Sequence, residues 1–71
     1  MNRIGMIWFD NSSLPLSTKI RQAIDYYQKK YGAIPTKIMV NPKDFVECNE
    51  FAIEKSRSIM RNNIWLGMSD E

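Results

Sequence analysis

Four carboxylates, Asp44, Glu47, Glu50 and Glu54, stand close together in the second half of the chain. The first three recur at a spacing that drifts round one side of a helix, a pattern open to acid–base chemistry or to a divalent cation. Such a site needs burial to shift its pKa values and a surrounding shell to hold its geometry. An acidic first turn at a helix N-terminus accounts for Asp44 and Glu47 with less. Cys48 is the only cysteine and the chain has no histidine. Disulfide frameworks, the common zinc sites, a Ser-His-Asp triad and a Cys-His pair are therefore excluded within one chain. With no base to activate it, Cys48 reads as core filler. Asp10, Asn11, Ser12 and Ser13 follow an apolar run, a place where ligands bind in α/β sheets. They lack the glycines that let a backbone cradle phosphates, and read as a loop. No catalytic, cofactor-binding or metal-ligating residue is assigned, and neither enzymatic activity nor a cofactor is expected.

The basic residues offer a second chemistry. Lys55, Arg57 and Arg61, with Arg3 and Lys37 on neighbouring strands, would make a sheet-borne patch for phosphates, with Trp8, Trp65 or Tyr26 stacking on bases. Against this, charges on strands also keep sheet edges from pairing, and Glu47, Glu50 and Glu54 weaken any cationic field. The net charge is only +2. No RNA-recognition signature, helix-turn-helix spacing or arginine-rich arm is present. Weak nucleic-acid binding through Lys55, Arg57 and Arg61 is kept as the alternative.

The elements that must position these residues follow from periodicity. At 71 residues the chain makes one domain, 1–71, small enough that nearly all its apolar side chains, 44% of the sequence, need cover. No apolar run is long enough to span a bilayer, and residues 1–10 lack the features of a signal peptide. Residues 4–9, Ile-Gly-Met-Ile-Trp-Phe, are apolar on both sides of the pleat and predict a buried strand. Ile20, Ala23, Ile24, Tyr27 and Tyr31 lie on one helical face and predict a helix over 17–31. Ser17 is its expected N-cap, Lys29 and Lys30 occupy the last turn, and Gly32 takes the left-handed cap. Arg21, Asp25 and Lys29 are spaced for two ion pairs.

Pro35 stops the helix, and residues 36–40 predict a second strand. Asn41-Pro42 resembles a helix start, with Asp44 near the free amides and Phe45 and Cys48 facing the core from a short helix over 42–50. Residues 51–60 fit a strand with a wet middle, and Asn62-Asn63 supplies left-handed backbone for a tight reversal into a strand bearing Ile64, Leu66 and Met68. The tail, 69–71, is expected to fray.

Two stretches carry a resemblance: Tyr26-Tyr27-Gln28-Lys29-Lys30-Tyr31-Gly32 with residues 35–42, and Arg57-Ser58-Ile59 leading to Trp65-Leu66-Gly67. They resemble a set of small uncharacterised bacterial proteins, some of them phage-associated, with a Tyr-rich helix, a Val-Asn-Pro turn and a closing Trp-hydrophobic-Gly strand. The resemblance covers about half the chain and implies an intact small domain, with no activity or cofactor. Where that set has Pro-Gly-His in the final turn, this chain has Arg61-Asn62-Asn63, so no role of that histidine carries over.

The order β-α-β-(short α)-β-β gives an α+β domain: a mixed sheet of about four strands with one long helix on one face. The strand–helix–strand unit predicts parallel strands and the last two strands an antiparallel hairpin. One helix leaves the second face of the sheet uncovered, and Trp8, Met39, Met60 and Trp65 are the residues expected there. The functional expectation is a cytoplasmic, non-enzymatic protein-interaction module, a homodimer or the docking surface of a small protein partner.

Overall fold

The computed structural model describes residues 5–68; Arg3, Ile4 and the tail expected to fray lie outside them. The elements are β1 (Gly5–Phe9), α1 (Leu16–Tyr31), β2 (Lys37–Val40), a 3-10 turn (Pro42–Asp44), β3 (Ile53–Lys55) and β4 (Asn63–Gly67). They form a four-stranded mixed sheet in the order β1-β4-β2-β3, with β4 antiparallel to both β1 and β2 and β2 parallel to β3. The fold is the small α+β domain that the periodicity implies.

Helix α1 begins at Leu16, not Ser17. Its cap is Pro15, whose backbone is already extended at φ −60°, and whose carbonyl accepts from the Thr18 and Lys19 amides at 3.0 and 3.1 Å. Gly32 ends it in the left-handed region at φ 75°, donating its amide to the Gln28 carbonyl, as a glycine without Cβ can do at little cost. Of the two intrahelical ion pairs expected, Asp25–Lys29 forms at 3.2 Å. Arg21 reaches instead to Glu50 in the segment after the 3-10 turn.

One side of the sheet packs on this helix. Two cross-strand rows make that face, Met6–Leu66–Ile38–Ile53 and Trp8–Ile64–Val40–Lys55. The buried cluster joins Ile20, Ala23 and Tyr27 of the helix to Ile38, Val40, Ile64 and Leu66 of the inner strands, with Met6, Trp8 and Phe45 among those packed around it.

Three expectations are corrected. The last two strands are not a hairpin: β4 inserts between β1 and β2, and β3 pairs with β2 alone. The reason is burial. β4 carries Ile64 and Leu66 on one side and Trp65 on the other, so both its faces and both its edges gain from the centre of the sheet. β3, with Glu54 and Lys55, suits an edge. The helix expected over 42–50 is a single 3-10 turn. Asn41 caps it as foreseen, its side-chain oxygen accepting from the Lys43 amide at 2.8 Å. The Asp44 carboxylate, however, leaves its own turn and accepts from Arg61 Nε at 2.6 Å and from the Asn62 amide at 2.7 Å, tying two loops together. With no helix there, Cys48 is only partly buried, outside the core cluster. Finally, β1 is not the buried strand expected but a half-exposed edge strand, with Ile7 54% and Phe9 61% exposed. The left-handed turn residue foreseen at Asn62 is present, at φ 66°.

The parity of β1 and β4 gives a direct test. Leu66→Ala should lower the unfolding free energy by about 3 kcal/mol. Ile7→Ala, one strand away and on the opposite face, should cost well under about 1 kcal/mol at dilute protein concentration. Urea titration of both variants reads the contrast.

Candidate functional site

The face of the sheet away from α1 carries a different set of side chains. Ile7, Trp65 and Met39 form one cross-strand row that ends at Glu54; Gly5, Gly67 and Lys37 form the next, and Phe9 pairs with Asn63. The indole of Trp65 does not stand up from this surface. A Cβ added at Gly5 would lie 2.5 Å from Trp65 Cζ2, and one at Gly67 would meet the same ring. The ring therefore lies flat across two glycines that face each other in register, an aromatic covering backbone that glycine leaves bare. Lys37 and Glu54 pair at 3.9 Å on this side. What remains open to water is concentrated on β1, at Ile7 and Phe9.

Of the four residues expected on this face, Met39 and Trp65 are there, adjacent in register. Trp8 is not. Its parity places it under the helix, where its ring meets Tyr26 at a centroid distance of 5.4 Å, and its indole Nε1 is buried with no hydrogen-bond partner. Met60 lies in the loop before β4 and is 75% exposed. Ile7 and Phe9 were missed as surface residues because a run apolar on both sides reads as fully buried. The available signal was that β1 alternates with Gly5, a residue that leaves room beside a flat aromatic.

Of the three basic residues, Arg57 and Arg61 come together beside Lys43. Lys55 Nζ sits 5.0 Å above the Phe45 ring. Arg61 is held by Asp44. Arg57 is exposed and lines a shallow depression with Lys43, Pro42 and Arg61 around the Asn41 turn. Trp65 lies over Gly5 and Gly67, at the far end of β4 from Arg61, so the indole expected to stack on bases is turned to backbone instead. The carboxylates are dispersed: Glu50 pairs with Arg21, Glu54 with Lys37, and Asp44 with Arg61. Among the described residues no group of three or more histidines, cysteines or carboxylates converges on a point.

A cleft of about 270 Å³ opens where α1 begins and β1 and β2 end, lined by Asp10, Leu16, Lys19, Val40, Asp44 and Asn62 among others. Its charged groups are already engaged. Asp10 accepts from the Ser12 amide at 2.9 Å, and Lys19 donates to the Asp10 carbonyl at 3.0 Å. Hydrogen bonds from the Ser12 hydroxyl and amide, outweighing slight burial and aided by Lys19, lower the Asp10 carboxyl pKa. Burial pushes the Asp44 carboxyl up, but the Asn62 amide and the Arg61 guanidinium, with Lys19 beyond, hold it below the usual carboxylate range. These contacts make the cleft a structural joint between loops.

Among the described residues, no helix is long and apolar enough to cross a membrane. Comparison with protein families, with curated proteins and with solved structures returns no match.

The Asp44 joint sets an acid limit on stability. Its carboxyl is more acidic folded than unfolded, so the anion contributes stability above the unfolded pKa, and that contribution is lost as pH falls through the folded value. Asp44→Ala should cost about 1–3 kcal/mol at pH 7. The gap to the parent protein should narrow steadily once the pH drops below about 4. Urea titrations at several pH values measure it; a gap independent of pH would show that the carboxylate charge is idle.

Proposed function

We propose that this protein is a small cytoplasmic interaction module, without catalytic activity of its own, that self-associates through the uncovered side of its sheet and the strand at its edge. The observation that carries this is β1, a strand apolar on both faces that stands at a sheet edge with Ile7 and Phe9 more than half exposed. Ile7 continues through Trp65 to Met39 as one apolar row, and contiguous apolar surface of this kind marks a site of association. A second copy is the simplest occupant. Two-fold dimers are the commonest assemblies, and the Lys37 and Glu54 charges on this side neutralise each other.

Nucleic-acid contact is served less well by the same geometry, because Arg61 is occupied by Asp44, Lys55 lies over Phe45, and the indole lies flat over Gly5 and Gly67. Light scattering on the eluting protein separates the readings. The expected mass at tens of micromolar is about twice the 8.3 kDa of the chain, unchanged between about 0.1 and 0.5 M salt. Phe9→Lys should return a folded monomer. A single 8.3 kDa species at about 100 µM would sink self-association, whereas salt-sensitive retention of short DNA or RNA, lost in Arg57→Ala with Arg61→Ala, would support the alternative.

A further inference from the structure

The two free edges of the sheet are built differently. β3 is three residues long and carries Glu54 and Lys55, the short charged edge by which sheets discourage a further strand. β1 has five residues, Gly-Met-Ile-Trp-Phe, paired without a bulge and bearing no charge and no proline. The direction of its backbone groups follows from the ladder. The Asp10 amide donates to the Asn62 carbonyl at 2.9 Å, in the same register as the β1–β4 pairs. Hydrogen-bonded pairs recur at every second residue of an antiparallel ladder, so Met6, Trp8 and Asp10 turn their N–H and C=O towards β4. Gly5, Ile7 and Phe9 turn theirs outward, and no other backbone group among the described residues meets them.

We infer that β1 pairs antiparallel with β1 of a second copy, centred on Ile7, joining two four-stranded sheets into one of eight strands about a two-fold axis. This rests on the self-association proposed above and fixes where it occurs. In this register Ile7 stands opposite the partner's Ile7, and Gly5 opposite the partner's Phe9. All three outward-facing residues of each strand then find one another, and a shift by one residue would set outward groups against inward ones. The side chains agree with the backbone. Gly5 has no side chain of its own, and the Trp65 ring overhangs it, so the partner's Phe9 settles against the edge of that indole. The two most exposed apolar groups of β1 are thereby covered. No like charges oppose each other, since β1 has none and Lys37 and Glu54 sit on β2 and β3. A two-fold axis normal to the sheet keeps both helices on the same side, clear of the junction.

Amide hydrogen exchange by NMR on the unmodified protein tests the register directly. The expected pattern is continuous protection from Met6 to Phe9. Ile7→Pro removes one outward donor and none that faces β4. It should keep its circular dichroism, self-associate at least about thirtyfold more weakly, and let the Phe9 amide exchange at least about tenfold faster. Met39→Lys, on the open face but away from the edge, should leave the dimer affinity within about threefold. Alternating protection, at Met6 and Trp8 only, in a dimer broken by Met39→Lys and indifferent to Ile7→Pro overturns the edge pairing while leaving self-association standing. A monomer at every concentration overturns both. Should Ile7→Pro fail to fold, the protection pattern of the parent protein decides.

Discussion

A helix of 16 residues is about 24 Å long, and four strands spaced at about 4.8 Å span roughly 14 Å. One such helix covers one face of such a sheet and leaves the other bare. The consequences reach every part of this molecule. The fully buried cluster draws only on α1, β2 and β4, so the stable centre is the helix set against the two inner strands. Flanking cover comes from side chains reaching sideways: Tyr26 extends the helix over Trp8 on one side, and Phe45 and Phe51 close the other from the irregular segment.

The bare face is managed by two separate devices, and one part of it by neither. At its middle, Trp65 folds down over Gly5 and Gly67, so that the indole shields peptide groups and is itself shielded on one side by them. Towards β3 the surface turns polar, with Lys37 and Glu54 in an ion pair that is exposed and contributes little stability, but which keeps that edge wet. Towards β1 there is neither device. Ile7 and Phe9 face solvent, and the outward amides of the strand have no neighbour within the described residues.

The elements whose signals are local were readable in the residues themselves. The helix face of Ile20, Ala23 and Tyr27, the glycine at its end, the cap at Asn41 and the left-handed backbone at Asn62 all depend on neighbours a few positions away, and all are in place. Strand order depends on competition between distant segments. A hairpin between β3 and β4 is favoured by chain proximity, yet β4 is apolar on both sides and gains more between β1 and β2 than at an edge. The same competition misplaced Trp8, because a strand apolar on both faces gives no clue to which parity meets the helix. Asp44 shows a third limit: its nearest free amides were those of its own turn, but a loop reversal brings Arg61 and Asn62 to it, a contact no local spacing announces. For the open face, Met39 and Trp65 were legible as sheet residues left over from the core, whereas Ile7 and Phe9 were hidden by being read as already buried.

That last misreading has a physical content. Burying an Ile or Phe side chain fully is worth about 1.5–3 kcal/mol, and more than half of each is left in water here. For the pair, roughly 2–3 kcal/mol of transfer free energy goes unclaimed by the single chain. A domain of 71 residues has a net stability on the order of 4–11 kcal/mol, so the unclaimed part is a large fraction of the whole. A strand whose sequence suits the interior, placed at the rim, would make folding and the proposed association draw on the same residues. Covering β1 then adds stability by mass action, which rises with protein concentration. Under the proposed pairing, a second copy would supply the cover that a single helix leaves off this strand.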